Sequence, residues 1–182
     1  MDFYCLRHPR PDIEPATCYG QRDIPLNTNY QMELQRLFPE ISALVNSGKI
    51  SCIYTSPLSR CKEPAAFISK AFHLPFKVDP LLMEISFGEW EGKSFDELWA
   101  KDSNYQNWCS NWKSARPPGG ESLSDLLDRA GNFIKNNSLN NSLIITHSGL
   151  IRSFYHILYQ KKISDFFNPN PNFGSLIYFE NI

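Results

Sequence analysis

The sequence predicts an α/β domain built on a largely parallel sheet, and three observations carry that prediction. Short apolar runs alternate with segments of helical, 3.6-residue periodicity, as strand–helix–strand units do. Three of the runs end in polar residues next to Pro or Gly: Leu6-Arg7-His8-Pro9, Thr55-Ser56-Pro57 and Thr146-His147-Ser148-Gly149. Finally, 42% hydrophobic and 20% charged residues over a length of 182 describe a chain that can bury a real core. A disordered tail, a fibrous repeat and a disulfide-stapled miniprotein are excluded.

The elements follow in order. Residues 3–6 form a first strand that stops in Arg7-His8-Pro9-Arg10-Pro11, where two prolines forbid both a continuing ladder and an immediate helix. Residues 29–46 read as a helix whose apolar face carries Leu34, Leu37, Ile41 and Leu44, with Pro39 set to kink or interrupt it. Residues 51–55 are a second strand, 59–72 a helix and 76–78 a short strand. The stretch 80–120 holds all four tryptophans, Trp90, Trp99, Trp108 and Trp112, among glycines and prolines. Aromatic residues of this kind pack such an excursion down on the domain, so it reads as a lid or cap within a single domain spanning 1–182. Gly119-Gly120-Glu121-Ser122 opens a helix to about residue 136, with Ser122 and Asp125 placed to cap its first turn. Residues 142–146 are the clearest buried strand, a helix starts at once after His147, and 176–179 make a last strand.

Charge and cysteine usage narrow the function. Eighteen basic and nineteen acidic side chains leave a formal charge of -1, so no global field draws in a nucleic acid polymer or an anionic membrane. No apolar run approaches the roughly 20 residues that cross a bilayer. The start, Met1-Asp2-Phe3-Tyr4-Cys5-Leu6-Arg7-His8, lacks the basic flank and long apolar stretch of a signal peptide, which points to a cytoplasmic location. Cys5, Cys18, Cys52, Cys61 and Cys109 are odd in number and show no Cys-x-x-Cys spacing, so reduced thiols are expected, not disulfides or a zinc ribbon.

The chemistry gathers where strands end. In parallel α/β sheets the C-terminal strand ends share one edge, and ligands bind in the crevice there. Arg7, His8, Arg60 and His147 therefore meet, a grouping that is unfavourable unless an anion neutralises it. A planar guanidinium suits a phosphate. The helix N-terminus at Gly149 adds backbone N–H groups and a favourable dipole to the same place.

Five motifs in order then carry a resemblance. Leu6-Arg7-His8, Ser56-Pro57-Leu58-Ser59-Arg60-Cys61, Glu84-Ile85-Ser86-Phe87-Gly88-Glu89-Trp90-Glu91-Gly92, Pro118-Gly119-Gly120-Glu121-Ser122 and Thr146-His147-Ser148-Gly149-Leu150-Ile151-Arg152 resemble the motif set of the histidine phosphatase superfamily, in its phosphoglycerate mutase-like branch. Within that branch, Cys18-Tyr19-Gly20-Gln21-Arg22-Asp23-Ile24-Pro25-Leu26 is most similar to the α-ribazole phosphatases of cobalamin synthesis. The resemblance implies a three-layer α/β/α sandwich and hydrolysis of a small phosphate monoester, with α-ribazole 5′-phosphate as one substrate. A mutase-like phosphotransferase and a broad sugar or nucleotide phosphatase are the alternatives. It implies His8 as nucleophile, and Arg7, Arg60 and His147 as holders of the phosphoryl oxygens. Glu84 becomes the general acid and base, and Ser148, Cys18, Tyr19 and Gly20 contact substrate. The apolar neighbours Leu81, Leu82, Met83, Ile85 and Phe87 would give Glu84 a setting that keeps a proton available. No cofactor and no metal are implied, and the chain is expected as a monomer or homodimer.

Two departures from the family pattern stand out. Pro9 follows His8 where glycine is usual, and residues 10–14 supply no equivalent of the asparagine that mutases use, which argues against a mutase. Ser148 stands where many relatives carry glycine. Arg152, one turn into its helix, is as well suited to structural pairing as to phosphate.

Overall fold

A computed structural model describes residues 2–180. Five strands, β1 (Phe3–Arg7), β2 (Cys52–Thr55), β3 (Phe76–Val78), β4 (Ser142–Thr146) and β5 (Leu176–Phe179), form one sheet in the order β3-β2-β4-β1-β5. The first four are parallel, and β5 runs antiparallel to β1. The seven helices are α1 (Tyr30–Gln35), α2 (Phe38–Asn46), α3 (Ser59–Phe72), α4 (Phe95–Lys101), α5 (Ser103–Asn111), α6 (Leu123–Asn136) and α7 (Ser148–Leu158).

The two-residue period of the strands builds the layers. Phe3, Cys5 and Ile144 pack on one face of the sheet with Leu126, Phe133, Leu150 and Phe154 from α6 and α7. Tyr4, Leu6, Leu143 and Ile145 pack on the other with Ile41, Ala65 and Ile68 from α2 and α3. Every residue of β4 is buried, as its unbroken apolar run requires of a central strand.

The helix expected over 29–46 is two helices. Pro39 sits in the first turn of α2, where its missing N–H leaves no intrahelical bond unmade, so the chain restarts the helix there instead of kinking through. The start of α6 is the predicted capped turn: the Ser122 hydroxyl accepts from the Asp125 N–H, and the Asp125 carboxylate accepts from the Ser122 N–H.

Over residues 80–120, Trp90 is fully buried with Cys18 and Leu98, edge-on to Trp108 and Tyr105, and its indole N–H donates to Asp102 Oδ2 at 2.9 Å. A bridge between Thr17 and Ser94 ties the excursion to the 9–26 loop. Trp99 departs from the expected packing: it is 57% exposed on α4, because the buried stripe of that short helix is Leu98.

Strand register places the site. Leu6 and Thr55 both pair with Ile145, and Arg7 pairs with Thr146, so β1, β2 and β4 finish at the same level. His8, Ser56 and His147 are then delivered to one edge. Because Trp90 anchors the 80–120 excursion, Trp90→Ala is expected to lower stability by about 3–5 kcal/mol in urea unfolding. Trp90→Phe, which forfeits the bond to Asp102, should cost about 1–3 kcal/mol. An unchanged unfolding midpoint in Trp90→Ala would show that this segment is not part of the cooperative core.

Candidate active site

His8 follows β1 directly and is 1% exposed. Its backbone N–H continues the ladder to the Thr146 carbonyl at 3.0 Å, and its ring Nδ1 lies 2.7 Å from the Pro9 carbonyl oxygen. A carbonyl only accepts, so Nδ1 carries the hydrogen and Nε2 of the neutral ring keeps its lone pair. Burial, then Arg60 and Arg7, pushes the imidazole down to about 3, against the pull of the Pro9 carbonyl. His147, wholly buried, is held well below its usual value by burial and by His8, Arg60, Arg129 and Arg7. The two rings lie 5.0 Å apart between centroids. His147 Nε2 is 2.9 Å from the Ser56 hydroxyl and 3.4 Å from the Cys61 thiol.

Arg60, in the first turn of α3, is fully buried. Its two terminal nitrogens donate to the Gly20 and Arg22 carbonyls at 2.6 and 2.8 Å, and Tyr19 lies under its guanidinium at 5.2 Å. The fork is thus spent on the 20–22 turn, and of the Arg60 nitrogens Nε is the one left without a hydrogen-bond partner among the described residues. Arg7 is similar. It donates through Nη1 to the Pro171 carbonyl at 2.7 Å and also bonds the Tyr19 hydroxyl. Arg7 Nε, Arg60 Nε and Ser148 Oγ are buried polar atoms that meet no hydrogen-bond partner among the described residues. No carboxylate among the described residues forms an ion pair with either arginine; the ion pairs present are Lys101–Glu97, Arg116–Asp125 and Arg129–Glu121.

Glu84 stands across the site. The Gly149 N–H, in the first turn of α7, donates to both its carboxylate oxygens at 3.1 and 3.2 Å, and the Ile85 N–H donates to Oε1 at 2.9 Å. This corrects two expectations. The helix N-terminus predicted to face a bound anion holds Glu84 instead, and of its apolar neighbours Ile85 and Phe87 share its cavity while Leu81 and Leu82 do not. Leu82 and Leu81 turn into the core while the carboxylate meets backbone N–H groups. A Cβ at 149 would collide with Glu84 Oε1, so glycine there is what lets the carboxylate sit on the Gly149 N–H. The strand-like stretch carrying Glu84 is held from behind by Arg129, which donates to the Leu81, Met83 and Glu84 carbonyls at 2.7–3.1 Å and to Glu121.

A cavity of about 310 Å³ opens onto these groups. Arg7, Tyr19, Gly20, Glu84 and Ser148 line it, while His8, Arg60 and His147 are buried and are not part of its lining. Cys18 lines it as an apolar wall, 2% exposed, its thiol pushed up to about 12 by burial and Glu91. Gly20 serves through its carbonyl, as the Arg60 acceptor. Arg152 pairs with the Pro169 carbonyl and Asn170 at the cavity wall. Among the described residues no three His, Cys, Asp or Glu side chains gather to hold a metal ion.

Sequence reasoning missed Ser56 as the partner of His147, Arg129 behind Glu84, and the segment ending in Phe173 over Arg7. The last had a visible signal, the Asn168-Pro169-Asn170-Pro171-Asn172-Phe173-Gly174 run before the final strand.

Both histidines are neutral in the fold while their ordinary value is 6.5, so below pH 6.5 the unfolded chain binds more protons. Their contribution to stability is therefore complete above pH 6.5 and is lost as pH falls below it, for His8 toward about 3. In ¹⁵N NMR both rings should stay neutral through pH 5, with His8 as the Nδ1–H tautomer. Midpoints near 6.5 would show a hydrated site.

The chain is similar to known phosphatases in sequence and in fold. Over 157 residues the chain is 27% identical to the adenosylcobalamin/alpha-ribazole phosphatase of Escherichia coli (strain K12), covering 83% of this chain and 75% of that protein. It is 32% identical over 161 residues to a putative phosphoserine phosphatase 2 of Hydrogenobacter thermophilus, covering 86% and 77%. The solved alpha-ribazole phosphatase of Shigella flexneri has the same fold, with a TM-score of 0.86 at 24% identity over 99% of this chain and 90% of that one. The family model for the histidine phosphatase superfamily (branch 1) matches residues 3–180, and the chain belongs to that superfamily.

Proposed function

We propose that the protein hydrolyses a small phosphate monoester through a phosphohistidine on His8. One observation carries the reading: a neutral imidazole with its Nε2 lone pair free, beside two buried guanidinium Nε donors and a buried serine hydroxyl that meet no hydrogen-bond partner among the described residues. A phosphoryl group supplies the oxygen acceptors those donors need and the electrophile the imidazole needs.

In the first step His8 Nε2 attacks phosphorus in line, the P–N bond forms, and the P–O bond to the alcohol breaks. Arg7, Arg60 and Ser148 hold the equatorial oxygens as charge spreads over them, and His147 stands behind His8 as a neutral neighbour that adds no repelling charge. Glu84, within the same cavity, gives its proton to the departing alkoxide. In the second step a water attacks phosphorus, Glu84 takes the water's proton, the P–N bond breaks, and inorganic phosphate leaves with His8 restored.

The finer reading is the alcohol. The cavity walls beyond the phosphate end are Phe87, Phe95, Trp108, Trp112, Phe166 and Phe167, which favours an ester whose alcohol carries a flat ring. Together with the similarity to α-ribazole phosphatases this supports α-ribazole 5′-phosphate as substrate.

Replacing the proton donor separates the roles. Glu84→Gln should slow phosphoenzyme formation from an alkyl phosphate by about 10²–10⁴-fold, with a much smaller effect on the pre-steady-state burst from p-nitrophenyl phosphate, whose leaving group needs no proton. An equal loss on both esters would contradict a general-acid role. On a panel of α-ribazole 5′-phosphate, 3-phosphoglycerate, phosphoserine and sugar phosphates, the first should show the highest kcat/KM, with inorganic phosphate and no isomerised ester as product. Similar low rates across the panel would leave the general phosphatase reading and remove the finer one.

A further inference from the structure

The chain enters β5 across the end of β1. The Gly174 N–H donates to the carbonyls of both Arg7 and His8, at 3.1 and 3.2 Å, and the Arg7 N–H donates to the Ser175 carbonyl at 3.1 Å. This crossing sets Phe173 over the site. The Arg7 guanidinium lies 3.8 Å from the Phe173 ring centre, that of Arg10 5.0 Å, and the His8 ring 5.5 Å. His8 is thus flanked by His147 on one side and Phe173 on the other, and Pro171, two residues earlier, takes the Arg7 Nη1 hydrogen.

Building on the reading of His8 as nucleophile, we propose that Phe173 is a positioning residue for phosphoryl transfer. Stacked on Arg7 and packed against His8, it fixes the plane of the guanidinium so that Nε faces the phosphoryl group, and it keeps water off the imidazole. The physical grounds are direct. A guanidinium 3.8 Å from an aromatic face is held by the ring quadrupole and has lost its freedom to rotate out of plane. With Nη1 tied to Pro171 as well, Nε has one direction to point. The same ring supplies part of the cover that leaves His8 1% exposed. The charged and titratable groups facing His8 are Arg7 on β1, Arg60 on α3 and His147 after β4, with Tyr19 and Glu84 reaching it through Arg7. Phe173 is the apolar member of that ring of neighbours.

The test compares Phe173→Ala, Phe173→Leu and Phe173→Tyr with the unmodified protein, using p-nitrophenyl phosphate turnover over pH 4–8 and, separately, ¹⁵N NMR titration of His8, which requires no substrate. Phe173→Ala is expected to lower kcat by about 10–100-fold, the scale of a misplaced catalytic group. Its KM should change by less than about 3-fold, and its His8 protonation midpoint should move upward as water reaches the ring. Phe173→Leu should keep His8 covered yet lose kcat, because it cannot stack on Arg7. Phe173→Tyr should restore kcat and the His8 titration. The proposal is overturned if Phe173→Ala keeps full kcat, or loses activity only in proportion to a lowered Tm with the His8 titration unchanged. If the unmodified protein cleaves no ester, the phosphatase reading fails on its own, and the His8 titration in Phe173→Ala still decides whether Phe173 covers the imidazole.

Discussion

Arg60 is buried and Arg7 half-buried at one edge of the sheet, with no carboxylate among the described residues in ion-pair contact, and the site is organised around that cost. Desolvating a guanidinium is expensive unless its charge is met by hydrogen-bond acceptors or by an opposite charge. Here the terminal nitrogens of Arg60 and one of Arg7 are met by backbone carbonyls of Gly20, Arg22 and Pro171. Carbonyl dipoles ease desolvation without cancelling charge, so a site with net positive potential survives inside the fold. The loop around Tyr19 and the segment before β5 exist in their observed shapes because they deliver those carbonyls. In the proposed function a phosphoryl group completes the neutralisation that these carbonyls leave undone.

Burial first, and then the same field, keeps the two histidines neutral. A protonated imidazole would be a further cation among cations and out of water, so both rings give up their protons, which is the state a nitrogen nucleophile requires. The Pro9 carbonyl then selects the tautomer. Proline at this position costs nothing for that purpose, since the group used is the carbonyl and not the N–H. Glu84 is kept apart from the cations by the N-terminus of α7, which grips its carboxylate through Gly149, while Arg129 and Glu121 fix the backbone behind it. The fold therefore keeps the guanidinium groups of Arg7 and Arg60, the neutral ring of His8 and the carboxylate of Glu84 in separate hydrogen-bonding environments.

Much of this was legible in the sequence, for reasons that differ by element. The parallel strands were readable because apolar runs ended in Pro, Ser or Gly, and the register of such runs forces Arg7, His8 and His147 together. The boundaries of α3 and α6 followed from periodicity and from the Ser122–Asp125 cap. What was not legible depended on partners distant in the chain. Ser56 beside His147, Arg129 reaching carbonyls some 45–48 residues away, and Pro171 accepting from Arg7 leave no periodic trace. The setting of Glu84 was misread because its apolar sequence neighbours serve the core, and a side chain's surroundings are set by packing and not by the adjacent letters. Trp99 was misread in the same way: a tryptophan on a one-turn-wide buried stripe finds no room once Leu98 has filled it.

The central claim is that the buried cations and the Pro9 carbonyl together make Nε2 of His8 the atom that receives the phosphoryl group. Rapid quenching during turnover, followed by ³¹P NMR and peptide mass spectrometry of the protein, tests it directly. The predicted result is a phosphoramidate on His8 at Nε2. Phosphate on Nδ1 of His8, on His147, or no phosphoenzyme while product accumulates would contradict it.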